Sequence, residues 1–459
     1  STGNLRFESA SVALRPRISR LYWFGLLLLA TNVGFLSSCR CSSPRPDPNV
    51  VLIVIDTLRQ DRLGVYGHNR DTSPQLDKLG AKSVVYERAY SQAPWTTPSI
   101  GSILTSRYPS QLGIDKGRTG LSRKERLVSE LLANKNYRTG GVISHSYCGK
   151  RWDFHQGFEV FDESNVLGHD AVTSAGVTDR AIEFVDTIAT TEPYFLFAHY
   201  FDPHFAYLEH EGHSFGDGAG YKGPITSDMK VHALRKISRR LSPDDVEELL
   251  RIYDSEVAIT DAQIGRLIEH LHRRGDLNNT LVVVTADHGE EFLDHQRWGH
   301  TTHVYEELIR VPLIVHYPDQ QRGRVSTPVA LIDILPTILA TVGMDTPRKV
   351  EGRNLRGDLS AERVLFSETN KGAQLSVAIR GCHKLIVDHE GKPAELYDLS
   401  KDNDETNNIA LQYPKLVAEL SRKIRRWSKK NSETKKSGTK VNLSDEEVQQ
   451  LEALGYVDP

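Results

Sequence analysis

A continuous apolar run, Val50-Val-Leu-Ile-Val-Ile55, follows Asn49 and stops abruptly at Asp56. No polar residue interrupts it, so the pattern predicts a strand covered on both faces rather than one with a wet side. Tyr194 to His199 has the same texture, as does Leu281 to Ala286, which ends on Asp287-His288-Gly289. Ser83 to Tyr90, Tyr137 to Ser144 and Val311 to His316 read as further strands. Between these runs the apolar period lengthens to that of a helix. Ser73 to Lys82, Arg123 to Lys135, Ser174 to Ala189 and Ser242 to Arg274 follow it, as does Leu331 to Val342, where Pro336 predicts a kink. Strands alternating with helices predict an α/β fold with a mostly parallel central sheet sandwiched by helices. Ligands gather beyond the carboxyl ends of such strands, where Asp56 and Asp287 stand.

The segment Ala93-Pro-Trp-Thr-Thr-Pro-Ser99 breaks into a helical pattern at Ile100, Ile103 and Leu104. Pro98 suits the first turn of a helix, where a missing N–H costs nothing. Thr96 and Thr97 therefore sit at or just before a helix N-terminus, whose unpaired N–H groups and dipole favour an anion. Taken alone, a threonine in this place is more often a plain helix cap.

After about residue 345 the texture changes. Val364 to Glu368, Leu375 to Arg380 and His383 to Val387 are short strands between turn residues, and Lys415 to Trp427 is an amphipathic helix. This predicts a small antiparallel-sheet-plus-helix subdomain over 346–428 beside a catalytic domain over 49–345. The remainder, 429–459, reads as a basic linker and a short helix opened by Ser444-Asp-Glu-Glu447.

The amino-terminal region has a different character. Arg15, Arg17 and Arg20 precede the apolar run Leu21 to Leu36, which is followed by Ser37-Ser38-Cys39. The run is shorter than the ~20 residues of a spanning helix, and reads as an export signal over 1–38. Leu36-Ser-Ser-Cys39 resembles a bacterial lipobox, making Cys39 the expected lipidation site. Residues 39–48, rich in proline, form the expected tether. The expectation is therefore an exported protein, lipid-anchored to a bacterial membrane on the periplasmic or cell-surface side.

Composition adds exclusions. A formal charge of −3 argues against nucleic acid as an obligatory partner. Four scattered cysteines form neither a disulfide framework nor a zinc site.

Separated segments thus converge on one end of the sheet. Asp56, Asp287, His288 and the Thr96 hydroxyl make a coordination set for one divalent cation, which would screen an incoming anion and acidify the threonine. With these residues on view, the chain resembles the sulfatase family of the alkaline phosphatase superfamily from Asn49 to about Ile409. The opening strand with Asp56 resembles the family's first metal ligand. Thr96-Thr-Pro-Ser99 with Leu104-Thr-Ser-Arg107 resembles the Cys-x-Pro-Ser-Arg…Leu-Thr-Gly-Arg signature. Ala198 to His204 is similar to the Asp-Pro-His segment, Ala286 to Phe292 with Gly299-His300 to the second metal-binding strand end, and Glu395 to Asp402 to the close of the C-terminal subdomain.

The departures narrow the chemistry. Thr96 stands where family members carry the residue converted to formylglycine, so none is expected. Ile100 replaces the signature arginine, Thr57 the second aspartate of the usual pair, and Ile143-Ser-His-Ser146 the Gly-Lys-Trp-His string, with His145 near its histidine. His288 replaces an asparagine, and an imidazole ligand favours Zn²⁺ or Mn²⁺ over Ca²⁺. The set resembles superfamily members that use threonine directly. The resemblance implies a metal-dependent hydrolase of sulfate or phosphate esters, with Thr96 as nucleophile and Thr97 as its neighbouring alternative or a substrate contact. His204 and His300 are the candidates for substrate binding and leaving-group protonation. His199, Asp202 and His303 are candidates for a second metal, and Arg59 and Asp61 for an ion pair fixing the first loop. The expected substrate is a small-molecule, glycan or lipid ester. Alternatives are a phosphoethanolamine-type transferase acting on a surface glycan or lipid, and an inactive binding protein on the same scaffold.

Overall fold

The computed structural model describes residues 47–114, 119–167, 172–216, 220–435 and 438–441. The signal-like segment, Cys39, the tether up to residue 46 and the helix expected at Ser444 lie outside them. Among the described residues, no helix is long and apolar enough to cross a membrane.

The main sheet is built from β1 (Asn49–Ile55), β2 (Val84–Tyr90), β3 (Arg138–Ile143), β4 (Val160–Asp162), β5 (Tyr194–Tyr200), β6 (Thr280–Ala286), β7 (Arg310–His316), β8 (Gly323–Val325) and β9 (Val329–Ala330). Its order is β8-β2-β7-β6-β1-β5-β3-β4, with β9 also pairing β2. The uninterrupted apolar runs occupy the centre: β1 lies between β5 and β6, parallel to both. Val50 to Val54 are fully buried, as a strand covered on both faces requires.

One strand departs from the parallel rule. β7 runs antiparallel to both β6 and β2. Its register against β2 shifts between Val311 and Leu313, at Pro312, which has no N–H to offer the ladder. The freed carbonyls are used: Thr285 Oγ1 donates to Pro312 O and Gln60 Nε2 to Val311 O.

The helices that bear on the site and its frame are α1 (Pro74–Gly80), α2 (Thr96–Thr105), α3 (Val128–Ala133), α4 (Ser174–Asp186), α5 (Pro243–Arg274), α6 (Ile334–Thr341) and α7 (Pro414–Thr434). Several differ from their sequence expectations. α3 is shorter than Arg123 to Lys135, because Glu130 accepts from Leu127 N and starts the helix there. Pro336 makes no kink: Leu331–Asp333 is a 3-10 turn and α6 begins at Ile334, placing the proline in the first turn. α7 continues through Thr434, into the stretch read as a linker, because Asn431 is buried and donates to Ser110 Oγ. Beyond it, Thr439–Lys440 pairs with Thr119–Gly120.

The second sheet is the four-stranded antiparallel meander β10 (Leu365–Thr369), β11 (Leu375–Arg380), β12 (His383–Asp388) and β13 (Glu395–Asp398), with α7 against it. Lys384 Nζ fastens it to the larger layer, fully buried between Glu306 (3.1 Å) and Glu405 (2.9 Å). Its edge also reaches the loop before α2: Ser367 Oγ donates to Ser91 O, and Glu368 N to Gln92 O.

Candidate active site

Ile55 of β1 and Ala286 of β6 are register partners, so the next residues, Asp56 and Asp287, leave the sheet side by side. Val54 pairs with His199 of β5, and His199 with Ile143 of β3, so His199 and His145 reach the same edge. Parallel strands put all four residues at one end of the sheet. Thr57, immediately after Asp56, has φ +53°, a strained conformation for a β-branched residue. Tyr253 holds it by donating to Thr57 O at 2.8 Å.

Trp95 is the N-cap of α2 and Thr96 its first helical residue. Thr96 Oγ1 lies 3.4 Å from His288 Nε2, whereas Thr97 Oγ1 donates to Tyr147 O at 3.1 Å. Thr96 therefore faces the strand ends, and Thr97 is committed to the backbone behind them. Ser99, one turn on, donates to Asp287 O at 2.7 Å.

His288 Nε2 is 3.5 Å from Asp56 Oδ1 and 3.4 Å from Asp287 Oδ2. Its other nitrogen, Nδ1, sits 2.9 Å from Gly289 O, which selects the tautomer with Nε2 free to accept. Asp56 Oδ1, Asp56 Oδ2 and Asp287 Oδ2 are buried and accept no hydrogen bond of full geometry. Burial drives the Asp56 carboxyl well above the usual range. It raises Asp287 to about 7, with the neighbouring Asp56 charge adding to the shift. Two adjacent carboxylates in a dry site resist ionising together unless a cation joins them. An imidazole nitrogen 3.5 and 3.4 Å from two carboxylate oxygens, all three within 4.8 Å of one another, fits a divalent ion with ligand bonds of about 2.0–2.1 Å. Asp56, Asp287 and His288 thus form a candidate metal centre, with Thr96 on its border.

Imidazoles line the rest. His145 Nδ1 is 3.3 Å and His199 Nε2 3.8 Å from Asp56 Oδ2. The His300 ring lies 4.5 Å from that of His288 and 5.1 Å from that of His204, which stacks on Phe201. Glu290 Oε1 holds His300 Nδ1 at 2.9 Å, and Tyr207 donates to the other oxygen of that carboxyl. Burial lowers His145 to about 3 and takes His199 and His300 well below their ordinary value. His145, His199 and His300 are therefore neutral imidazoles near pH 7, able to accept or relay protons but not to supply fixed positive charge.

The second-metal set is not assembled. Asp202 Oδ2 accepts from Thr173 N (3.0 Å), Ser174 N (2.8 Å) and Ser174 Oγ, so it caps α4. His303 stacks 5.8 Å from the Tyr305 ring, while His199 alone of the three lies against Asp56. Arg59 bridges Asp61 and Asp294 at 2.8 Å each and donates to Glu290 O, tying the first loop to the segment after β6. His145 is the residue that spacing placed least well. An altered string in the place of Gly-Lys-Trp-His was its signal.

A family model for sulfatase matches residues 48–344, and one for the C-terminal region of N-sulphoglucosamine sulphohydrolase matches 294–430. The chain is 22% identical to an N-acetylglucosamine-6-O-sulfatase of Bacteroides thetaiotaomicron, over 85% of this chain and 89% of that one. Its fold is similar to that of a protein solved with its substrate D-glucosamine-2-N,6-O-disulfate (TM-score 0.71, 19% identity, 84% and 98% of the two chains). It is also similar to a phosphonate monoester hydrolase of Agrobacterium radiobacter (TM-score 0.69, 19% identity, 84% and 96%). The chain belongs to the sulfatase family of the alkaline phosphatase superfamily and is a sulfuric or phosphoric ester hydrolase.

Proposed function

We propose that Thr96 is the nucleophile of a metal-dependent hydrolase acting on sulfate or phosphate esters of a small molecule or glycan. The observation that carries this reading is the position of Thr96 Oγ1, 3.4 Å from His288 Nε2 at the border of the buried Asp56 carboxylate and Asp287 Oδ2, which accept no hydrogen bond of full geometry. Asp56, Asp287 and His288 would hold one divalent ion, the imidazole favouring Zn²⁺ or Mn²⁺ over Ca²⁺. When bound, that ion supplies Lewis acidity and lowers the pKa of a neighbouring hydroxyl.

The protein's own groups do the rest. The first turn of α2 directs its N–H groups and dipole toward the anion that Thr96 meets. Thr96 Oγ forms a bond to phosphorus or sulfur as the ester's bridging oxygen departs. The proton that Thr96 gives up is the one the departing oxygen takes on, and His300, oriented by Glu290 and adjoining His204, is placed to relay it. Water then cleaves the threonine ester at phosphorus or sulfur. Threonine lacks the second hydroxyl through which a formylglycine hydrate expels sulfate, so this site leans toward phosphoryl esters. We further propose that Cys39 is lipidated, so that the enzyme works at the outer side of a bacterial membrane.

The test compares wild type with Thr96→Ala on an aryl sulfate, an aryl phosphate and an aryl phosphodiester. Loss of at least ~10³-fold in kcat is expected for the substrate turned over. Equal activity in the variant overturns the assignment.

A further inference from the structure

Lys371 stands on the turn between β10 and β11, in the small sheet and far in sequence from every residue of the site. The structure nevertheless interlocks its loop with the loops of the nucleophile and of His300. Thr301 N donates to Pro94 O at 3.0 Å, and Thr369 Oγ1 donates to Thr301 O at 2.7 Å. Gly372, at φ +73°, packs so closely on Thr302 that an added Cβ would lie 2.5 Å from its Cγ2. Pro94, Thr301 and Thr369 thus form a chain of contacts with Trp95-Thr96 at one end and Lys371 at the other.

The Lys371 side chain turns back toward the site. Its Nζ is buried and lies 4.8 Å over the Trp95 ring, whose face attracts a cation, and Trp95 is the residue before Thr96.

The charges of the site leave a place for such a group. Two carboxylates offset one divalent ion. Ile100, fully buried in the core, offers no charge where the family signature has arginine. An incoming sulfuryl or phosphoryl group brings its own negative charge into a dry pocket, where an unmatched charge is costly.

We infer that Lys371 Nζ binds a non-bridging oxygen of the ester's anionic group, so that the C-terminal sheet supplies the fixed cation of the active site. This rests on the ester-hydrolase reading above and deepens it. An ammonium on a flexible stem suits this task, because it binds tetrahedral oxyanions as a point charge.

The experiment measures binding rather than turnover. Metal-loaded wild type, Lys371→Met and Lys371→Arg are titrated with inorganic phosphate and with sulfate by calorimetry. Metal content and melting temperature are recorded in parallel. Lys371→Met should weaken anion binding by about tenfold or more at unchanged metal content, and Lys371→Arg should retain it within about threefold. Unchanged affinity in Lys371→Met overturns the proposal, as does a wild type that binds neither anion. If Lys371→Met does not fold, Lys371→Gln is read by the same criteria. A protein that binds phosphate through Lys371 yet cleaves no ester would leave this inference standing and remove the hydrolase reading.

Discussion

Ser99 Oγ donates to the main-chain carbonyl of Asp287 at 2.7 Å, and Ser91 Oγ meets the same hydroxyl at 2.9 Å. The helix that begins with Thr96 is thereby fastened directly to the strand end that carries Asp287 and His288. Two segments nearly 190 positions apart in sequence, as that bond's separation of 188 records, behave as one rigid unit. Ser99→Ala removes the strut and leaves a buried carbonyl short of a donor. A loss of about 1–3 kcal/mol in stability is expected. If Thr96 depends on that strut, kcat should fall by about 10–100-fold with KM little changed. Chemical denaturation and steady-state kinetics check the two effects separately, and an unchanged kcat would show that Thr96 is positioned without Ser99.

Metal binding should be linked to pH through Asp287. Its carboxyl is raised from 3.8 to about 7 in the folded chain, so between these values the native state holds a proton that the unfolded state has lost. The associated stability is present below about pH 4 and is lost as pH rises through 7. The buried histidines have the opposite sign, since their lowered values cost stability as pH falls below 6.5. A divalent ion replaces the proton on Asp287, so the rise in melting temperature on adding Zn²⁺ or Mn²⁺ to chelator-treated protein should grow from pH 5 to pH 8. Calorimetry in buffers of different ionisation enthalpy should detect proton release near pH 6. In Asp287→Asn both signals should vanish, and their persistence would contradict this assignment.

Asp202 should matter for stability and not for metal. It accepts the first N–H groups of α4, and a cap of this kind contributes about 1–2 kcal/mol. Asp202→Ala should lower the melting temperature while elemental analysis finds the metal content of wild type. A fall in metal content would return Asp202 to the ligand set.

Much of this was legible along the chain. The run from Val50 to Ile55 and the run ending at Ala286 each announced a doubly covered strand, because burial on both faces selects apolar residues and admits a polar one only where it finds a partner, as Thr285 does. A carboxylate directly after such a run must leave the sheet at its carboxyl end, so Asp56 and Asp287 were identifiable before their distance was known. Local punctuation, with Pro98 in a first turn and a hydroxyl pair before it, located the helix of Thr96. Composition and spacing reached their limit at relationships that only packing sets. Thr96 and Thr97 are equivalent as letters, and a single hydrogen bond from Thr97 to Tyr147 O separates them. Asp202 reads as a ligand until the N-terminus of α4 arrives to occupy it. β7 reads like its parallel neighbours, since burial dictates apolar residues whichever way a strand runs, and direction depends on the length and course of the connection. Lys371 carries no local signal at all. Its place beside Trp95 depends on β10 docking against Ser91 and Gln92, a contact between chain segments whose meeting is decided by the tertiary fold.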